Sequence, residues 1–206
     1  MCIRDSMDVN QTNHNPNPFS YWVVPNKFLA GDYPGTHYSY NPLTTLISCT
    51  HTIVGLHKTK YHYFHTSKQR HQSIINANIK HIIDLTETNE RFKYFDKLDQ
   101  LATNQNMIIQ HHRFPIMDRN VPSKSFMQAI LNCIDDKIKK NQPIYLHCFR
   151  GLGRTGLVVG CYLARHGYSG DEALLLLDSL RNNTASKFRA SPQNQKQRDM
   201  VINWTD

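Results

Sequence analysis

The stretch that most limits the possible folds runs from Pro143 to Gly156: Pro-Ile-Tyr-Leu-His-Cys-Phe-Arg-Gly-Leu-Gly-Arg-Thr-Gly. A short apolar run of strand length, Ile144 to His147, enters a glycine-rich turn. The turn enters a helix expected from about Arg154 to Arg165, stopping near Gly167. Such a junction points several backbone N–H groups at one spot, and the helix start adds partial positive charge there. A phosphate is the natural occupant. Gly151 and Gly153 permit positive φ or close backbone approach, so the loop can close tightly.

The surrounding chain alternates strand and helix signals. Tyr21 to Val24 and Lys27 to Ala30 are short β-type runs separated by Pro25-Asn26. His81 to Leu85 is an apolar run of strand length. Phe92, Phe95, Leu98 and Leu101 form a helical stripe over residues 91–104, and Met107-Ile108-Ile109 returns to strand. Ser123 caps a helix over residues 123–140, in which Phe126, Ile130, Ile134 and Ile138 recur at spacing four. Further helices are expected over residues 171–180 and 193–204. Leu174 to Leu177 and Leu180 read as core packing, since no heptad is sustained. The pattern predicts one α/β domain: a four- or five-stranded, mostly parallel sheet with helices on both faces.

The ends and the long connection carry less signal. Residues 1–18 are a polar lead-in with Asn-Pro repeats, expected to be disordered. Residues 1–6 resemble the translation of a sequencing-library adapter, and Met7 is the expected natural start. The domain is then 19–206, with a long loop or insertion at about 36–72, rich in His, Tyr, Thr and Lys. Leu46-Ile47 and Ile53-Val54 are its candidate buried anchors.

A net charge of +8 favours anionic partners without choosing among them. No run of 18 apolar residues predicts a membrane span. The five cysteines, Cys2, Cys49, Cys133, Cys148 and Cys161, show no CxxC pair and no export signal accompanies them. Free thiols in a reducing, cytoplasmic setting are expected.

The chemistry gathers on the glycine-rich loop. Cys148 opens it, where helix start, amides and Arg154 all favour the thiolate. A thiolate held under phosphorus is a nucleophile. Arg154 offers a planar fork for two phosphoryl oxygens. The backbone of Phe149, Arg150, Gly151, Leu152, Gly153 and Arg154 supplies the remaining cradle, so no metal or other cofactor is called for. The Thr155 hydroxyl is placed to hydrogen-bond the Cys148 sulfur and ease its departure.

His147 to Gly156 matches the HCxxGxxR[ST] signature of protein-tyrosine and dual-specificity phosphatases, and its GxGRTG form resembles small atypical members. The likeness extends to Ala30 to Gly35, Ile83 to Thr86, Phe114 to Asp118, Gly160 to Gly167 and Ser191-Pro192 through Gln197. The resemblance implies two-step hydrolysis of a phosphorylated protein through a phosphocysteine. It implies that Asp118, 30 residues before Cys148, is the general acid and then the base. The larger tyrosine-specific enzymes carry Trp-Pro-Asp at that point, and this chain does not. His147 is implied to shape the loop and support the thiolate. Gln193 and Gln197 match the spacing of a water-positioning segment, but a polar, exposed helix start is the expectation for them. Asp84 is read as structural.

Phosphotyrosine, with some phosphoserine and phosphothreonine, is the expected substrate. A phosphoinositide or other small phosphate ester is the alternative, with Arg150 a contact for an extra phosphate. A phosphate-binding module without turnover is the alternative of a different class. His51, His57, His62, His65 and His71 lack the partners of a metal site. Lys58, Lys60, Lys68 and Arg70 lack a nucleic-acid signature. Cys133 and Cys161 are core thiols unless one pairs with an oxidised Cys148. Oligomeric state stays open.

Overall fold

The computed structural model describes residues 14–35, 66–90 and 93–206. The expectations on residues 1–6, Cys2 and Cys49 lie outside the described residues, as do the anchors Leu46, Ile47, Ile53 and Val54, the loop side chains His51, His57, His62, His65, Lys58 and Lys60, and Phe92.

Five strands form one sheet: β1 (Ser20–Val24), β2 (Phe28–Gly31), β3 (His81–Asp84), β4 (Gln110–Arg113) and β5 (Ile144–His147), in the order β1-β2-β5-β3-β4. β1 and β2 pair antiparallel, through a turn that carries Asn26 at φ 57°. The pairs β2–β5, β5–β3 and β3–β4 are all parallel. Within the described residues the helices are α1 (Ser67–Asn76), α2 (Phe95–Thr103), α3 (Lys124–Lys139), α4 (Gly153–Arg165), α5 (Gly170–Leu180) and α6 (Gln195–Ile202).

Strand alternation divides the core in two. Phe28, Ala30, Ile83, Ile144 and Leu146 face the layer of α3, α4, α5 and α6. Leu29, Ile82 and Tyr145 face α1 and α2, where Ile74, Ile75, Leu98 and Ala102 meet them. Helices therefore cover both faces, as parallel strands require. α4 is buried along most of its length, from Gly153 to Leu163. That explains a helix apolar nearly all round, which only an interior position suits. Among the described residues, no helix is long and apolar enough to cross a membrane.

Two segments differ from expectation. The last parallel strand begins at Gln110, after the apolar triplet Met107-Ile108-Ile109. Ile109 enters the core, but Ile108 is 79 % exposed. β4 is an edge strand, and its ladder bonds are made by Gln-His-His-Arg, whose polarity hides the strand signal. α1 occupies the end of the stretch read as an insertion, closed by a capping box between Thr66 and Gln69. The Ser123 cap on α3 is as expected, its hydroxyl accepting from the Phe126 N–H.

The parallel strands β3, β4 and β5 all end at one edge of the sheet. The loops that leave them there carry Glu90, Asp118 and Cys148. This carboxyl edge is where open α/β sheets place their ligands.

Candidate active site

β5 delivers His147 to the sheet edge, and Cys148 follows at 3 % exposure. The loop turns back at Gly151, whose φ is +65°. A Cβ there would lie 2.6 Å from the Gly31 carbonyl carbon and 2.8 Å from the Asp32 nitrogen. Only glycine allows this approach. The Gly31-Asp32-Tyr33 backbone is thus the outer wall of the loop, and the Tyr33 N–H donates to the Phe149 carbonyl at 3.1 Å. The wall is itself pinned. Arg70 of α1 donates to both Asp32 oxygens at 2.9 and 2.8 Å, and the Tyr145 hydroxyl donates to the Asp32 carbonyl at 2.5 Å. Leu152 stands at the N-cap of α4 and offers no capping side chain, so the first N–H groups of the helix meet no side-chain acceptor there.

Arg154 is 1 % exposed yet charged. Both of its terminal nitrogens reach Glu90, each at 2.6 Å in a two-pronged pair, and Nη1 also donates to the Ile116 carbonyl at 3.0 Å. Burial weighs against this charge, but the Glu90 carboxylate, with Cys148 and Asp118 adding to it, pushes the guanidinium's pKa up. Nη2 lies 3.3 Å from Asp118, whose side chain is 63 % exposed. Nε is buried with no hydrogen-bond partner among the described residues. The guanidinium therefore keeps one buried donor in hand, beside an edge shared with the exposed Asp118 carboxylate. A phosphoryl oxygen would satisfy Nε.

The histidine before the cysteine is fully buried, and burial pushes its pKa down against the pull of Asp84. A neutral ring with the proton on Nδ1 fits its contacts. Nδ1 faces the Cys148 carbonyl at 3.3 Å, and Nε2 accepts from the Tyr94 hydroxyl at 2.5 Å. Burial pushes the Tyr94 pKa well up, which keeps that proton in place. Asp84 lies below as a hub. Its Oδ1 accepts from the Thr86 N–H at 2.8 Å and hydroxyl at 2.6 Å, and its Oδ2 from His111 at 3.2 Å and Arg113 at 3.0 Å. Burial opposes its charge, but the bonds from His111 and from the Thr86 hydroxyl and N–H outweigh burial and hold its carboxyl well below the usual range. Asp84 is structural, as expected, and it anchors the floor of the loop.

Two side chains, Thr155 and Gln197, find surroundings different from those expected. The Thr155 hydroxyl donates to the Gly31 carbonyl at 3.4 Å, so its proton is directed at the wall of the loop. The exposed helix start expected at Gln193 and Gln197 is corrected for one of the two. Asn194 is the N-cap of α6, and Gln197 is fully buried between the two loops. Its Nε2 donates to the Asn120 carbonyl at 3.2 Å, and its amide sits 3.2 Å from where a Gly153 Cβ would project. Gln193 stays exposed, with its Oε1 3.0 Å from that same point. Cys133 and Cys161 are free thiols whose pKa values burial raises, Cys161 being fully buried, which suits inert core cysteines.

Sequence reasoning missed Glu90 and Tyr94. Both lie on the connection after β3, where no spacing rule ties them to Cys148. The available signal was position alone: polar residues just past the carboxyl end of a parallel strand.

A family model described as a polymorphic toxin system DSP-PTPase phosphatase matches residues 56–168, more than half of the chain. The chain is 30% identical over 131 residues to a phosphatidylinositol 3,4,5-trisphosphate 3-phosphatase and protein-tyrosine-phosphatase, PTEN1, of Arabidopsis thaliana, covering 62% of this chain and 31% of that protein. It is 28% identical over 145 residues to the dual specificity protein phosphatase CDC14B of Mus musculus, covering 70% of this chain and 24% of the relative. The chain thus spans about a third or less of these relatives. Among solved structures, a kinase associated phosphatase with serine in place of its catalytic cysteine superposes with a TM-score of 0.60 at 18% identity, over 92% of this chain and 93% of the other. That likeness shows a shared fold.

Proposed function

The chain belongs to the DSP-PTPase phosphatase family of polymorphic toxin systems, and from that membership we propose that it hydrolyses phosphate monoesters through a phosphocysteine on Cys148. The observation that carries this reading is the convergence of Cys148, the buried Arg154 and Asp118 on one uncapped helix start, with Asp118 3.3 Å from Arg154. In the first step the Cys148 thiolate attacks phosphorus, the bond to the leaving oxygen breaks, and Asp118 gives that oxygen its proton. The amides of residues 149–154 and Arg154 bear the charge on the phosphoryl oxygens. In the second step water attacks phosphorus, Asp118 takes the water's proton, and the sulfur leaves as thiolate with release of inorganic phosphate. Neither step calls on a metal. In this reading the Gln197 amide, buried between the two loops, orients that water.

Phosphotyrosine in proteins, with some phosphoserine and phosphothreonine, is the substrate class this reading favours. Phe149 and Leu152 stand where lipid-directed relatives carry lysines, and Arg150, which is exposed, is the cation left to meet an extra phosphate. A thiolate nucleophile also asks for a reducing compartment, so the cytoplasm is the proposed location. The test is hydrolysis of an aryl phosphate with EDTA present. Wild type is expected to be active, Cys148→Ser inactive, and Asp118→Ala slower by about 100-fold or more. A folded but inactive wild type supports a phosphate-binding module instead, and activity surviving in Cys148→Ser overturns the mechanism. Preference for inositol lipids over phosphopeptides reverses the substrate order.

A further inference from the structure

The loop that bears Asp118 is held from one side by the start of α6. Residues 117–120 make a tight turn, closed by the Asn120 N–H donating to the Met117 carbonyl at 3.0 Å. The residue after Asp118, Arg119, sits at φ 60°, a left-handed conformation that costs any residue with a Cβ and needs outside support. That support comes from the first turn of α6. Asn194 Nδ2 donates to the Arg119 carbonyl at 2.9 Å, Lys196 Nζ donates to Asn120 Oδ1 at 2.6 Å, and Gln197 Nε2 donates to the Asn120 carbonyl at 3.2 Å. The same turn is tied to the phosphate loop. The Ser191 hydroxyl donates to the Leu152 carbonyl at 2.8 Å, and Gln197 packs against Gly153.

We propose that the start of α6 is a latch for the acid loop, with Asn194 and Lys196 as positioning residues for Asp118. The inference rests on the phosphatase reading above. Asn194 and Gln197 fix the two peptide carbonyls on the C-terminal side of Asp118, and Lys196 holds the Asn120 side chain beside them. They hold Arg119 left-handed and so aim the Asp118 carboxyl toward Arg154 and the cradle. Released from the latch, Arg119 relaxes to an ordinary negative φ. The carboxyl then swings away from the leaving oxygen, while Cys148, Arg154 and the amide cradle stay in place.

That separation is what a test can read. A leaving group that departs as a stable anion needs little help from an acid, whereas a phenol or alkyl alcohol needs its proton. The variants are Asn194→Ser, which keeps an oxygen to cap α6 but has no Nδ2 donor, and Lys196→Met, which keeps the stem of the side chain. kcat/KM reports on cleavage of the P–O bond. It is expected to stay near wild type for a dinitrophenyl phosphate and to fall by about 10- to 100-fold for phenyl phosphate, most in the double variant. Melting temperatures near wild type go with that result. Equal losses on the two esters, or no loss on either, overturn the latch while leaving the phosphatase reading intact. A wild type inactive on both esters overturns that reading and the latch with it.

Discussion

Glu90 shows how one carboxylate can set the geometry of a site without touching its substrate. Arg154 is, with Arg181, one of two arginines at 1 % exposure among the described residues, and its fork is fixed by two bonds of 2.6 Å to Glu90. The pairing orients the guanidinium so that Nε, which has no partner among the described residues, is the donor left for a phosphoryl oxygen. Removing one member of a buried ion pair leaves the other charge uncompensated. Glu90→Ala is therefore expected to cost about 3 kcal/mol in denaturant melts and to cut kcat/KM sharply. Glu90→Gln, which keeps the shape and one acceptor, is expected to lose less stability but still about 10-fold in kcat/KM, because the fork is held by one charge-assisted prong fewer. Equal stability of Glu90→Ala and wild type would show that water and Asp118 already satisfy Arg154. None of this was legible beforehand, since Glu90 sits 64 positions from Arg154 in a polar run that reads as an ordinary turn.

At the scale of elements, legibility followed the strength of local signals. The strand β5, its loop and α4 were readable because an apolar run, two glycines and a second apolar run give sharp boundaries. The capped start of α3 was readable for the same reason. β4 was not, because an edge strand can be built of Gln, His and Arg when its neighbours supply the partners, here Asp84 for His111 and Arg113 and His81 for His112. The burial of Gln197 was hidden too, since a glutamine in a polar helix start looks exposed until the loops it bridges are known. The wall of the phosphate loop lies between these cases. Ala30 to Gly35 was recognisable by its likeness to the family, but its contact with Gly151 is a matter of folding. Gly151→Ala tests that contact. Its Cβ would overlap the Gly31 backbone at 2.6 and 2.7 Å, where no flexible side chain can give way, and φ +65° is strained for alanine in any case. The expected result is loss of tungstate or vanadate binding as well as of turnover, with destabilisation of about 2 kcal/mol or more. Full anion binding by the variant would mean that the wall does not shape the cradle.

The molecule as a whole is poised to lose stability on acidification, because several of its histidines are packed as neutral rings. His71 is 4 % exposed, and burial, reinforced by the charges of Lys97 and Arg70, pushes its pKa down to about 4. Burial also lowers His147, His81 and His112, and the last two face each other at 3.0 Å, so a second proton on that pair is opposed. Above pH about 6.5 neither the folded nor the unfolded chain holds these protons, and they contribute nothing to the pH dependence. As pH falls below that value the unfolded chain binds them while the folded protein resists, so unfolding is favoured. For His71 the loss accrues down to pH about 4, where the folded protein accepts the proton as well. Asp84 acts in the same direction at still lower pH, since its depressed carboxyl stabilises the fold only while ionised. His71 alone accounts for a loss on the order of 2 kcal/mol between pH 7 and pH 5. Urea melts at pH 7 and pH 5 measure it directly. Wild type is expected to be less stable at pH 5, and His71→Phe, which fills the same space between α1 and Tyr94 without a titrating group, is expected to show a slope shallower by up to one proton. Parallel slopes for the two proteins would place the acid sensitivity on the sheet-edge histidines His81 and His112, and a double substitution there would then have to flatten the profile.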